Sequence, residues 1–120
     1  MTIHRINPTA RWSDITVFKG IAHFVEVPEC EQTDINSQVQ AIFRQAEASL
    51  AQISSHKGRI LSVTIYLTDF ALLDAMNRLW DAWFDAGTAP SRACVKAQLA
   101  DPHYLLEMAF VAAAGDDFSK

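Results

Sequence analysis

The run Ile60-Leu61-Ser62-Val63-Thr64-Ile65-Tyr66-Leu67-Thr68-Asp69 decides how the rest of the chain must be arranged. Its first eight positions are apolar or β-branched almost throughout. A strand covered on both faces reads this way, whereas a half-solvated one alternates more cleanly. Thr68 and Asp69 then offer a helix cap, and Leu72, Leu73, Met76, Leu79, Trp80 and Trp83 recur at helical spacing, so a helix follows and ends at Gly87. Upstream, Val39, Ile42, Phe43, Ala46, Leu50 and Ile53 define a second helix face. Thr33 or Asp34 caps that helix, Lys57 suits its last turn, and Gly58 is the expected stop. Farther back, residues 13–18 and 21–27 flank the turn signal Lys19-Gly20 and read as a β-hairpin, halted at Pro28 because proline cannot donate to a sheet ladder. Downstream, residues 91–99 and 105–114 are expected to form a closing pair of strands around Asp101-Pro102, and a short extra strand is expected at 2–6.

The order β-β-α-β-α-β-β predicts an α+β two-layer sandwich, a mixed sheet of about six strands with two helices on one face. Two helices cover only one side of such a sheet, yet strands 60–67 and 105–114 carry apolar side chains on both. An exposed apolar face of several hundred Å² is unusual on a monomer, so the open face is expected to pack against sister subunits.

Composition narrows the function classes. A chain of 120 residues and 13.4 kDa, half of it apolar and 20% charged, has the size of one domain, expected to span residues 1–120. The formal charge of −4 denies it the global field that non-specific nucleic-acid binding exploits, so no nucleic-acid partner is expected. The opening Met1-Thr2-Ile3-His4-Arg5-Ile6-Asn7-Pro8 has no apolar stretch of signal-sequence length, and no window approaches the ~18 apolar residues of a spanning helix. A cytoplasmic, membrane-free protein is expected. Cys30 and Cys94 match no redox or metal-ligand spacing and read as reduced thiols.

Glu107 breaks the apolar run Leu105-Leu106-Glu107-Met108-Ala109-Phe110-Val111. A buried, unpaired carboxylate costs several kcal/mol, so Glu107 should be paired, neutral or beside water in a cleft. Arg92, near the start of the preceding strand, is its expected neighbour across a hairpin. Arg92, Cys94, Lys96 and Gln98 share one face of that strand by alternation, and Ala93, Val95, Ala97 and Leu99 the other. That polar face is either a cleft or a solvated edge with an incidental Arg–Glu bridge. His4, His23, His56 and His103 show no ligand spacing, so no metal is expected. No histidine is placed by sequence to activate Cys94 as a nucleophile. Trp80 and Trp83 belong to the helix stripe and read as core, whereas Trp12, on a loop after Pro8, reads as a pocket wall.

The second half also carries specific motifs. The decapeptide above, Met76-Asn77, then Ala89-Pro90-Ser91-Arg92-Ala93-Cys94-Val95, then Leu106-Glu107-Met108 strongly resemble the RidA/YjgF family of reactive intermediate deaminases. Before them, Arg11-Trp12-Ser13 resembles that family's Tyr-Ser. The resemblance implies a chorismate-mutase-like fold, a homotrimer with clefts between adjacent subunits, and hydrolysis of 2-imino or 2-enamino acids to 2-keto acids and ammonia without a cofactor. By that resemblance Arg92 clamps a substrate carboxylate bidentately and Glu107 orients or deprotonates the attacking water. Cys94 lines the pocket chiefly through its backbone, and Trp12 keeps the aromatic wall while losing the hydroxyl. The expected partners are therefore a small 2-imino or 2-keto carboxylate and other copies of the chain.

One stretch departs from the pattern. Active deaminases of this family carry a Ser-Gly pair at the end of the second hairpin strand, and here either Phe24-Val25 or Val25-Glu26 replaces it. Val25 then lines the substrate site, and Glu26 either enters the cleft, where its negative charge would repel an anionic substrate, or stays outside it. Two readings other than the deaminase stay open: a trimer that binds a small 2-keto acid without turnover, and a ribonuclease or translation inhibitor.

Overall fold

The computed structural model describes residues 2–119. Six strands form one mixed sheet: β1 (His4–Ile6), β2 (Ile15–Phe18), β3 (Ile21–Glu26), β4 (Ile60–Leu67), β5 (Ser91–Lys96) and β6 (Leu106–Ala113). Their spatial order is β1-β2-β3-β6-β4-β5. Two helices, α1 (Ile35–Gln52) and α2 (Leu73–Trp83), lie on one face. The expected two-layer sandwich is the observed one.

The β2–β3 hairpin turns at Lys19 and Gly20, both at positive φ (53° and 78°). Two consecutive positive φ values match the right-handed twist of the flanking strands, and glycine reaches them without steric cost. Asp34 caps α1, its carboxylate accepting from the Ser37 N–H at 2.9 Å. The helix stops earlier than Gly58. Ser54 adopts φ 55°, the Ser55 N–H reaches the Leu50 carbonyl (2.9 Å), and the Ser54 N–H reaches that of Ala51 (3.2 Å). That double bond pattern closes a helix without glycine, leaving Lys57–Arg59 as a separate 3-10 turn capped by His56. The second helix differs likewise. Asp69 caps a 3-10 turn at Phe70–Leu72 rather than α2 itself, and α2 ends at Trp83, short of Gly87.

The core fills the space between helices and sheet. Val63, Ile65 and Leu67 of β4 and Leu106, Met108, Phe110 and Ala112 of β6 point toward the helices and are buried. Phe24 stacks on Phe110 at 4.9 Å, and Phe43 stacks on Trp83 at 4.0 Å. Trp80 and Trp83 are core residues, as expected from the stripe.

The closing pair of strands is corrected. β5 does not pair with β6; it pairs with β4 in parallel, and β6 lies antiparallel on the other side of β4. The cause is the β4–α2–β5 unit, a crossover connection that delivers β5 parallel to β4. The chain after Lys96 then crosses the end of β4, where the Ala97 N–H bonds the Leu67 carbonyl (3.0 Å) and the Thr68 N–H bonds the Leu105 carbonyl (3.0 Å).

The open face is apolar at several places. Phe18, Ile21, Val25 and Val95 are 44%, 37%, 55% and 42% exposed, and Ala109, Val111 and Ala113 lie among them on β6 by alternation. β4 differs from expectation, since its open-face residues, Ser62, Thr64 and Tyr66, all carry hydroxyls.

Candidate functional site

The expected site residues fall into two groups on the sheet. Arg92 pairs in register with Val63, and Cys94 with Ile65, so both point to the helical side of the edge strand β5. There the Arg92 Nη1 donates to Asn77 Oδ1 at 2.8 Å. Its guanidinium carbon also lies 5.2 Å from the centre of the Trp80 ring. Both partners belong to α2, which the parallel crossover places over this edge. One arm of the guanidinium is fixed by the amide and its plane rests near an indole, while Arg92 stays exposed. Such an arrangement restrains the guanidinium while leaving N–H donors that can serve an anion.

Cys94 sits partly buried on the same face, two residues along. Burial pushes its thiol above the ordinary value, and the Arg92 charge offsets only part of that. A thiol held protonated does not serve as a nucleophile at neutral pH. Lys96 shares this face and is exposed, but β5 ends there, so Gln98 lies in the following connection and not on the strand face.

Glu107 is elsewhere. It pairs in register with Tyr66 and alternates with buried Leu106 and Met108, so it points to the open face. Arg92 and Glu107 are therefore not neighbours across a hairpin. They are two strands and three registers apart, roughly 14 Å between Cα atoms, on opposite faces of the sheet. Strand parity alone prevents an ion pair between them within one protomer.

Trp12 and Val25 line a different feature, a groove of ≈ 810 Å³ at the end of the hairpin. Strand pairing of β2 stops at Ile15, opposite Phe24, so Val25 and Glu26 run past it. The loop before β2 bends away, fastened where Thr9 Oγ1 accepts from the Trp12 N–H (3.1 Å) and donates to the Trp12 carbonyl (2.9 Å). This turn presents the Trp12 ring at 61% exposure on the groove wall. Val25 faces the open side with Ala109, its register partner on β6. Glu107 follows two residues before Ala109, on the same face. Val25 and Glu107 thus belong to the open face and Arg92 and Cys94 to the helical face, while the Trp12 groove wraps the end of the hairpin and draws its lining from both, Ala109 and Val111 on one side and Gln45 and Ser49 on the other.

Glu26, at or next to the position of the family's Ser-Gly pair, points to the helical side. Its carboxylate accepts from Ser49 Oγ at 2.8 Å and from Gln45 Nε2 at 3.3 Å, both on α1. Burial raises its pKa from the ordinary 4.5; those two hydrogen bonds lower it, and nearby Glu29 and Asp14 raise it. Three residues carry site geometry that sequence reasoning had not assigned. Asn77 and Trp80 position Arg92. Gln38, fully buried, ties α1 to the connection between β5 and β6: its Nε2 donates to the carbonyls of His103 (2.8 Å) and Gln32 (3.0 Å), and its Oε1 accepts from the Leu105 N–H (2.8 Å). Asn77 lies inside a quoted motif, and Gln38 falls between the apolar positions of α1, where an amide on the buried face was the available signal. Among the described residues no three His, Cys, Asp or Glu side chains converge as metal ligands would.

This fold and these motifs recur in known proteins. Residues 2–114 match the family described as Endoribonuclease L-PSP. The RutC family protein YoaB of Escherichia coli is 42% identical over 113 residues, spanning 94% of this chain and 99% of that protein. A RutC family protein of Haemophilus ducreyi is 38% identical over 112 residues, 92% of this chain and 96% of its own. Among solved structures, NMB1025 of Neisseria meningitidis, a YjgF family member, superposes with a TM-score of 0.92 at 34% identity, covering 97% of this chain and 98% of that one. A putative translation initiation inhibitor of Salmonella typhimurium reaches 0.86 at 41% identity, covering 94% and 98%. The chain belongs to the RidA/YjgF family.

Proposed function

We propose that this protein hydrolyses reactive 2-imino and 2-enamino acids to 2-keto acids and ammonia, in a cleft that a second copy completes. The observation that carries the reading is the state of Arg92: exposed on an edge strand, held by Asn77 and set beside Trp80, with donors left for a carboxylate. A planar fork prepared in this way suits bidentate binding of a small organic acid. Glu107 is the matching base, but it reaches the same ligand only if the edge strand of one protomer lies against the open face of the next. The apolar residues on that face, Phe18, Ile21, Val25 and Val95, support such packing. A homotrimer with three equivalent clefts satisfies this requirement, each protomer giving Arg92 and Cys94 to one cleft and Glu107, Val25 and Trp12 to another.

The chemistry then asks little of the protein. The Arg92 guanidinium fixes the carboxylate, which places the electrophilic C=N carbon, and Glu107 takes a proton from the attacking water. Collapse of the resulting amino alcohol releases ammonia and leaves the 2-keto acid. No cofactor enters this route. A net charge of −4 weighs against a nuclease role despite the family description.

The test generates an imino acid in situ and follows its trapping by semicarbazide. Purified protein should compete with the trap, and Arg92→Ala should abolish the competition while leaving the oligomer intact. Wild type and Arg92→Ala behaving alike would refute the proposal. Thermal stabilisation by 2-ketobutyrate without turnover would point instead to a binding trimer, and RNA cleavage that is lost with a cleft mutation would point to a nuclease.

A further inference from the structure

The groove beside Trp12 has a charge character of its own. Its ionisable lining is Glu26, Asp14, Glu29 and His23, with neither lysine nor arginine. Glu26 is the one of these fixed in place. Ser49 Oγ binds one carboxylate oxygen and Gln45 Nε2 the other, each from the α1 side. Both anchors are neutral, so they orient the group without cancelling its charge. A carboxylate has about four acceptor positions and these bonds use two, so acceptor capacity remains for a ligand. Gln45 is itself committed, since its Nε2 also donates to the Val27 carbonyl at 2.7 Å and its Oε1 accepts from the Glu29 N–H at 2.9 Å. It cannot turn away and release Glu26 without breaking both bonds. The exposed Trp12 ring on the same groove adds a face that attracts organic cations.

We propose that Glu26 sets the ligand class of this groove, selecting small carboxylates whose far end carries a protonated amine or a similar donor and rejecting those that end in a second carboxylate. The inference rests on the reading above, in which Arg92 of a neighbouring copy holds the near carboxylate. A second negative end would face Glu26, with Asp14 and Glu29 nearby and neither lysine nor arginine in the lining. An ammonium end gains a charge-assisted hydrogen bond at the same position. The preferred substrates would then be imino acids with a basic side chain, supplied by an enzyme that acts on diamino acids.

Equilibrium binding tests this without needing turnover. Hexanoate, 6-aminohexanoate and adipate share a six-carbon skeleton and carry a neutral, a cationic and an anionic far end. Titrated calorimetrically into the intact protein, 6-aminohexanoate should bind at least about tenfold more tightly than adipate, with hexanoate between them. In Glu26→Gln, which keeps the size and an acceptor for α1, the spread should shrink to within about threefold. Glu26→Asp, which keeps the charge, should retain the order. Adipate binding as well as 6-aminohexanoate, the same order persisting in Glu26→Gln, or no binding of any of the three would each overturn the proposal. Binding in this order without competition for an imino acid would refute the hydrolase reading while leaving this one standing.

Discussion

Arg92 and Glu107 project from opposite faces of one sheet, with β4 between their strands. Fifteen positions separate them in the chain, and the connection that links them passes over the end of β4 instead of turning back as a hairpin. Under the proposed function, this relationship makes a second molecule necessary to bring the two groups to one ligand. It also divides the site residues sensibly: a binding group on a sheet edge, where it can enter a neighbour's groove, and a carboxylate on a face that another copy can cover.

Asn77 should act through Arg92. Replacing it with alanine frees one arm of the guanidinium, so a carboxylate ligand must pay the ordering cost itself. Immobilising one rotamer-rich side chain costs about 0.5–1.5 kcal/mol, so binding of 2-ketobutyrate in Asn77→Ala should weaken by about two- to tenfold. The melting temperature should barely move, because Arg92 is exposed and Asn77 only partly buried. A melting point lowered by several degrees with unchanged affinity would show that Asn77 serves the fold instead.

Gln38 should matter to stability more than its single side chain suggests. Gln38→Leu keeps the bulk but strips partners from the Leu105 N–H and from the carbonyls of His103 and Gln32. Orphaned buried polar groups cost about 1–3 kcal/mol each, less where water enters, so urea unfolding should show a loss of about 2–4 kcal/mol. A loss under about 1 kcal/mol would mean that the connection between β5 and β6 re-forms its bonds elsewhere.

Glu26 gives a pH dependence with a definite sign. Its pKa is raised in the folded protein, so the folded state holds this proton more tightly than the unfolded chain does. The contribution of Glu26 to stability therefore declines as pH rises from its ordinary 4.5 through the raised folded value. Glu26→Gln removes that decline. Relative to wild type it should be more stable at neutral pH, with the advantage disappearing below about pH 4, where both side chains are neutral. Chemical denaturation at several pH values measures this, and an advantage that grows on acidification would contradict it.

The elements were more legible than their arrangement. β4 was read to the residue, and the β2–β3 hairpin to within two, because periodicity and turn chemistry are local properties. Alternation also placed Arg92 and Cys94 together and Val95 opposite them, as observed. The neighbour of β5 was not legible. Strand order depends on where α2 delivers the chain, and nothing within residues 91–114 records that β4 lies between. The end of α1 was missed for a similar reason: Ser54 adopts the left-handed conformation that glycine usually supplies, and Gly58 belongs to the next turn. At the site, Trp80 read as core and is core, but burial patterns do not reveal that its ring also carries Arg92. Parity does place Glu26 with Ala22 and Phe24, toward α1. Its partners, Gln45 and Ser49, could be found only once α1 was docked.

Mixing two inactive variants tests the shared cleft most directly. Arg92→Ala and Glu107→Gln should each fail to compete with semicarbazide for an imino acid while keeping the wild-type oligomer. Unfolded together and refolded at equal amounts, they should regain about a quarter of wild-type activity, since random trimers place an intact Arg92 beside an intact Glu107 in that share of clefts. A refolded mixture as inactive as either parent, with mixed oligomers demonstrably formed, would contradict a cleft built from two copies.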